Sequence, residues 1–266
     1  MTATVDTLTA RILASKKYKD TAEETVRQLA GECLARYPTT SKAEAALRER
    51  LHNIMAPYLG DPNYQLASQR LSTAFARGTD AVQAECRALL ASHDSTRERL
   101  DLLETFYPQL WAVTGIPQTV LDIASGLNPL AFPWMGMSPQ ASAIYAYEIH
   151  LPRVALLNHY FALQGLPQTA KVQDVALQFP TEQADVALFL KELPRFEKNY
   201  GQLGLKLLQA LHAQWVVVSF PAISLHGGGR SLVSHYRTYF EKLIAGQGWQ
   251  TVEVLFPNEL VYCIKK

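Results

Sequence analysis

Thr119-Val-Leu-Asp-Ile-Ala-Ser-Gly-Leu-Asn-Pro-Leu-Ala131 is the stretch whose reading decides the fold. Val120, Leu121 and Ile123 are β-formers around a single acid, Asp122, and the small residues Ala124-Ser-Gly126 follow at once. That pattern is a buried strand running into a tight turn, where small side chains let a ligand approach backbone N–H groups. In an open parallel sheet, ligands bind outside the carboxyl ends of the strands. Ala124–Gly126 is therefore expected to carry a nucleoside-type cofactor.

On the C-terminal side of this stretch the apolar period alternates between strand and helix. Ala143–Glu148 reads as a second strand ending in an acid. His150–Gln164 reads as a helix with Pro152 in its first turn and Gly165 just past its end. Gln168–Val172 is a short third strand followed by Asp174, Ala184–Leu190 a fourth, and Phe196–His212 a helix. Gln214–Ser219 is apolar enough for the centre of a sheet. A helix over Leu232–Gly246 precedes two strands, Gln250–Phe256 and Glu259–Ile264, joined so closely at Pro257-Asn258 that they must form an antiparallel hairpin. The sum is a seven-stranded α/β sheet with an antiparallel last hairpin.

On the N-terminal side, residues 1–115 read as helical. Thr21-Ala-Glu-Glu24 and Ser41-Lys-Ala-Glu44 look like capping boxes, Gly60-Asp-Pro62 is a turn, and Asn63–Phe75 and Asp80–Ala91 keep the helical period. Ser95 or Asp94 is placed to cap a further helix bearing Leu100, Leu103, Phe106 and Leu110. The expected division is a helical domain over 1–92 and a cofactor-binding domain over 93–266.

With 266 residues, 48% of them hydrophobic, the chain can bury a substantial core. Its net charge is +1, and basic and acidic residues balance in both halves, so charge alone does not announce a nucleic-acid binder. The one biased patch is Arg11, Lys16, Lys17 and Lys19, opposed by Asp6 and Asp20. No apolar run is long enough for a membrane span, and the first residues lack the apolar centre of a signal peptide. Cys33, Cys86 and Cys263 have neither a disulfide nor a zinc spacing, so reduced thiols, a cytoplasmic location and no metal are expected.

The acids fall at regular places: Asp122 in the first strand, Glu148 at the end of the second, Asp174 after the third. A carboxylate at the second strand end suits a pair of ribose hydroxyls, and one after the third can accept from an adenine amine. The turn lacks the G-x-G-x-x-G of pyrophosphate-binding enzymes, which points to a cofactor without a pyrophosphate, such as S-adenosylmethionine.

Several segments together resemble the 16S rRNA (guanine-N7) methyltransferases of aminoglycoside resistance. They are His93-x-Ser-Thr-Arg-Glu-Arg-Leu100, Val120-Leu-Asp-Ile-Ala-Ser-Gly-Leu-Asn-Pro129, Tyr147-Glu-Ile149, Leu190-Lys-Glu-Leu-Pro194 with Glu197, and Val218-Ser-Phe-Pro221 followed by Ser224-Leu-His-Gly-Gly. The Ser-Thr-Arg-Glu-Arg-Leu and Gly-Leu-Asn-Pro elements are specific to that family, whereas the acids are generic to class I (Rossmann-like) S-adenosylmethionine-dependent methyltransferases. The resemblance implies methylation of guanine 1405 of 16S rRNA in the assembled 30S subunit by a monomer, with the helical domain docking on the RNA.

Carried over by position, Arg99, or else Arg97, would pair with the methionine carboxylate. Ala124 and Gly126 would line the methionine portion, Glu148 the ribose, and Asp174 and Val175 the adenine, with Ile149 and Leu190 also on the cofactor. Lys191 would touch the target nucleotide or a phosphate, and Glu197 would orient Lys191 or the guanine. Ser224 and the loop His226-Gly-Gly-Gly-Arg230 would close over the base. Phe106, Tyr107 and Trp111 follow the arginine motif and are candidate platforms for it, Phe106 or Tyr107 foremost, with core packing the expected role of at least two of the three. Where the family often carries a basic residue before the serine, this chain has Ile223, and Arg230 can restore the charge from a few residues on.

Guanine N7 has an in-plane lone pair and no proton, so its methylation needs no general base and no catalytic triad. The chain has only to bring donor and base into line. The competing reading is a methyltransferase of a small natural product with the helical domain as a lid. The near-neutral charge favours that alternative, and the Ser-Thr-Arg-Glu-Arg-Leu motif opposes it.

Overall fold

The computed structural model describes residues 4–55, 61–224 and 230–266. The first part is helical: α1 (Val5–Leu13), α2 (Glu23–Arg36), α3 (Thr40–Met55), α4 (Tyr64–Arg77), α5 (Thr79–Ala91), the short α6 (Asp94–Arg97) and α7 (Leu103–Thr114). The strands follow: β1 (Thr119–Ile123), β2 (Ala143–Glu148), β3 (Lys171–Val172), β4 (Gln183–Leu190), β5 (His212–Pro221), β6 (Gln250–Leu255) and β7 (Glu259–Lys265). They interleave with α8 (Leu151–Gln164), α9 (Leu193–Tyr200), α10 (Leu203–Ala210) and α11 (Val233–Ile244). The strand order is β3-β2-β1-β4-β5-β7-β6, with β7 antiparallel to both β5 and β6 and the other pairings parallel.

Successive side chains of a strand point to opposite faces, and the apolar residues sort accordingly. Val120, Ile144, Ala146, Val186, Leu188, Val217, Val261 and Cys263 meet residues of α4, α5, α7 and α8 on one face. Leu121, Ile123, Tyr147, Ala187, Phe189, Val216, Val218, Leu260 and Ile264 meet α9, α10 and α11 on the other. Both faces are covered, so the central strands are mostly apolar, with Asp122 a buried exception. A separate cluster, including Leu8, Ile12, Val26, Leu29, Leu47 and Leu51, joins α1 to α3. Packing thus puts α4 and α5 on the sheet, while α1 to α3 share their own apolar cluster.

Several local expectations are corrected. Thr21 does not cap α2: its hydroxyl donates to Met55 Sδ, its backbone bridges His150, and α2 begins after Ala22 without a side-chain cap. Ser41 lies inside α3, where Thr39 Oγ1 accepts from Lys42 N–H, and Glu44 is held by Arg11 and Arg48. Neither Asp94 nor Ser95 caps α7, because a 3-10 turn over Leu100–Leu102 intervenes. The helix expected over Phe196–His212 is two helices, since Gly201 at φ 66° breaks it and β5 already starts at His212. The third strand begins only at Lys171, because Thr169 and Ala170 bond to Ile144 O and the Asn158 side chain. Gly60 of the expected turn lies outside the described residues, while Asp61 pairs with Arg153.

Candidate cofactor site and its relatives

The turn after β1 is built by two left-handed residues, Ala124 at φ 51° and Gly126 at φ 54°. Left-handed backbone is unfavourable for a residue with a Cβ, so Ala124 is held there by its surroundings. Ser125 N–H donates to Tyr147 O at 3.0 Å, and Gly126 N–H donates to Glu148 Oε2 at 3.1 Å. These bonds fold the turn over the end of β2. A Cβ on Gly126 would sit 3.1 Å from the His93 ring, so the close approach of the His93–Leu100 motif adds a tight contact to the backbone's preference for glycine.

Asn128 ties the two motifs together. Its Nδ2 donates to Asp122 Oδ2 at 2.8 Å, and its Oδ1 accepts from Tyr107 O–H at 2.8 Å and Arg99 Nη1 at 3.5 Å. Asn128 and His93 stood in the quoted motifs without an assigned role. Burial and the neighbouring Arg153 pull His93 down to about 4, so the ring is neutral near pH 7. Its Nδ1 lies 2.9 Å from Ser95 Oγ.

Arg99 is buried, and its Nε and Nη2 donate to Glu259 at 2.8 and 2.9 Å. Glu259 is fully buried at the start of β7 and also lies 3.2 Å from Lys191 Nζ. Burial opposes its charge, but Arg99 and Lys191 hold its carboxyl below the usual range. Arg99 thus spends one side of its guanidinium on Glu259 and turns Nη1 toward Asn128 and the turn. Arg97, by contrast, is exposed and pairs with Asp94, away from the turn.

Glu148 is held below its usual range despite burial, by Arg153 and by the N–H groups of Ile149 and His150. With Gly126 N–H added, four donors meet one carboxylate, about as many as its lone pairs accept. Any further donor to Glu148 would have to compete with these four. Arg153, which the sequence reading missed, also reaches Asp61 and Tyr64.

A cleft opens beside these strand ends. Ala124, Glu148, Ile149, Asp174 and Val175 lie on its wall, opposite Ile54 of α3 and Arg195 and Phe196 of α9. Arg99, Gly126 and Leu190 are not on that wall, and Leu190 packs in the core instead. Asp174 accepts from Ala176 N–H at 2.9 Å through Oδ1 and from Thr25 O–H at 2.9 Å through Oδ2, and its burial raises the carboxyl. The apolar wall with a fixed carboxylate at one side fits a purine whose amine needs an acceptor.

The residues expected around a target base are placed differently. Phe106 and Tyr107 are fully buried: Phe106 packs against Phe256, and Tyr107 supports Asn128. Neither offers a face to an extruded base. Lys191, at a left-handed φ of 62°, turns its ammonium inward to Glu98 and Glu259 instead of presenting it to phosphate. Glu197 does not orient Lys191; it accepts from Gly204 N–H and joins α9 to α10. Ser224 N–H donates to Arg230 O at 2.9 Å, closing the base of their loop, and Arg230 is exposed. The rest of that loop, His226-Gly-Gly-Gly229, lies outside the described residues.

Asp122 adds a pH dependence. Burial pushes its carboxyl up to about 7, against the opposing pull of Asn128 and Arg99. The unfolded value is about 3.9. The folded state therefore binds the proton more tightly, and that stabilisation is complete below the unfolded value and lost as pH rises through the folded one. Asp122→Asn should gain thermal stability over the parent as pH rises from about 5 to about 8. A difference in Tm that does not change with pH would show that Asp122 does not titrate there.

The sheet order, the antiparallel β7 and the left-handed turn over acidic strand ends define a class I, Rossmann-like methyltransferase. A family profile described as "Ribosomal RNA methyltransferase (FmrO)" matches residues 14–263. The chain belongs to this FmrO family of ribosomal RNA methyltransferases. It is 34% identical to the 16S rRNA (guanine(1405)-N(7))-methyltransferase of Frankia casuarinae, over 98% of this chain and 94% of that protein. Among solved structures it is similar to the 16S rRNA methylase RmtB, with TM-score 0.83 and 29% identity over 99% of this chain and 98% of that one. It is equally similar to 16S rRNA methyltransferase RmtF in complex with S-adenosyl-L-homocysteine, with TM-score 0.83 and 30% identity over 100% of this chain and 99% of that one.

Proposed function

We propose that the chain transfers the methyl group of S-adenosylmethionine to N7 of guanine 1405 of 16S rRNA in the assembled 30S subunit, and so confers aminoglycoside resistance. The observation that carries this reading is the knot of Asn128, Asp122, Tyr107 and Arg99, which joins the two family-specific motifs at the strand-end turn. It acts as a monomer in the cytoplasm. Among the described residues, no helix is long and apolar enough to cross a membrane.

S-adenosylmethionine, when bound, supplies an electrophilic methyl group on a sulfonium centre. Asp174 and Val175 hold the adenine in the cleft, Glu148 and Ile149 flank the ribose, and Ala124 and Gly126 line the methionine portion. Arg99 Nη1, aimed by the Glu259 pair, faces the methionine carboxylate, for which a guanidinium fork is suited. The guanine N7 lone pair needs no deprotonation, so the residues around it have to orient and desolvate. Proximity and alignment are the sources of rate. Ser224 and Arg230, at the foot of their loop, meet the RNA.

The test is transfer of tritium from labelled S-adenosylmethionine to purified 30S subunits, with free 16S rRNA and protein-free subunits as controls. Label on 30S subunits, mapped to N7 of guanine 1405 by chemical cleavage, is the expected result; unlabelled 30S subunits would refute the reading. Lys16, Lys17 and Lys19 are exposed on one edge of the N-terminal unit and supply its cationic face. Changing the three to Glu should weaken 30S binding and flatten its dependence on salt, because released counterions set that slope. Equal slopes for parent and variant would make the patch a solvated face.

A further inference from the structure

The N-terminal helices meet the cofactor cleft through specific bonds. Ala22 N–H donates to Ile149 O at 2.7 Å, and Leu151 N–H donates to Asp20 O at 2.8 Å, so the chain entering α2 is laced to the loop that follows Glu148. Arg195 Nη2 donates to Ile54 O at 2.8 Å, fixing the end of α3 on the opposite wall. Between these attachments lies Thr25, on the first turn of α2. It is 1% exposed, and its hydroxyl is 2.9 Å from Asp174 Oδ2.

A carboxylate turns about its Cβ–Cγ bond unless both oxygens are engaged. Ala176 N–H engages Oδ1, and that bond comes from Asp174's own turn. Thr25 engages Oδ2 from a helix 149 positions away in sequence. With the Tyr200 hydroxyl, a further hydrogen-bond partner on the cleft wall, these bonds set the plane of the carboxylate. Asp174 is itself on the cleft wall.

We propose that Thr25 is a positioning residue for the methyl donor: its hydroxyl fixes the Asp174 carboxylate in the orientation that receives the adenine amine, so that the N-terminal helical unit completes the cofactor site. This rests on the reading of the cleft as the S-adenosylmethionine site. Because the unit that carries Thr25 also carries the exposed Lys16–Lys19 patch, cofactor affinity and the placement of the RNA-docking helices are linked through one hydroxyl.

Calorimetry with S-adenosylhomocysteine on the full chain, joined to steady-state kinetics on 30S subunits, tests it. Thr25→Val keeps the shape and removes the donor, and should weaken binding about fivefold, an indirect effect smaller than the loss of the acceptor itself. Thr25→Ser should return to near parental affinity. KM for S-adenosylmethionine should rise in Thr25→Val while kcat at saturating cofactor holds. On an Asp174→Ala background, Thr25→Val should cost nothing further, because the acceptor is gone. If Thr25→Val does not fold, Thr25→Ala serves as the donor-less variant.

Parental affinity in the donor-less variant, with Asp174→Ala weakened, would overturn this inference and leave the cofactor cleft standing. A Thr25→Ser variant as weak as Thr25→Val would reduce Thr25 to packing and also overturn it. Parental affinity in Asp174→Ala would remove the adenine assignment and this inference together.

Discussion

Glu259→Ala should lower the free energy of unfolding by about 3–5 kcal/mol, the cost typical of stripping one partner from a buried ion pair. The carboxylate it removes is fully buried and lies against both Arg99 and Lys191. Lys191 retains Glu98, but Arg99, itself 3% exposed, is left with a full charge, a long bond to Asn128 and the Phe106 ring face. Equilibrium urea unfolding should show a shifted midpoint with an unchanged slope. The sign with pH follows from the depressed carboxyl of Glu259. The pair's stabilisation is present above the unfolded value of about 4.3 and is lost as pH falls through the lower folded value. Parent and variant should therefore converge in acid. A loss below about 1 kcal/mol at neutral pH would show that the pair does no more than offset its own desolvation.

Asp174→Ala should weaken S-adenosylhomocysteine binding by about 10–100-fold, the range expected for a hydrogen bond to a charged acceptor. The fold should survive. Burial already disfavours the charge of Asp174, so its removal relieves a desolvation cost while leaving Thr25 O–H and Ala176 N–H without their acceptor. Thermal unfolding should move little compared with the change in affinity seen by calorimetry. Unchanged affinity would mean that the acid after β3 does not read the purine.

What was legible in the sequence was whatever repeats over a few residues. The strands showed as short apolar runs, the helix over Leu151–Gln164 as a proline at its start and a left-handed glycine past its end, and the strand-end acids as punctuation between them. The antiparallel hairpin was legible because Pro257-Asn258 leaves no room for a crossover; that β7 and not β6 pairs with β5 was not. Partnerships across the chain left no local signal either. Arg99 and Glu259 lie 160 positions apart, and nothing near either residue announces the other.

The same limit explains the misplaced aromatics. Phe106 and Tyr107 have the chemistry of a base platform, but Phe106 packs against Phe256, just after β6, and Tyr107 bonds Asn128, neighbours the local period cannot name. Capping was misread for a related reason. Thr21 and Glu44 have the right residue types, but bonds to Met55, Arg11 and Arg48 take their polar atoms elsewhere.

The position of β7 bears on the order in which the molecule can be made. β6 is synthesised before β7, yet its neighbour in the sheet is β7, which also supplies the pairing edge of β5. While the chain emerges from the ribosome, β1 to β5 can assemble progressively, but β6 has no strand to join until β7 follows. Glu259, the first residue of β7, brings the anion that neutralises Arg99, so the guanidinium beside the strand-end turn stays uncompensated until the same moment. The sheet is therefore closed, and Arg99 paired with its anion, by the same strand.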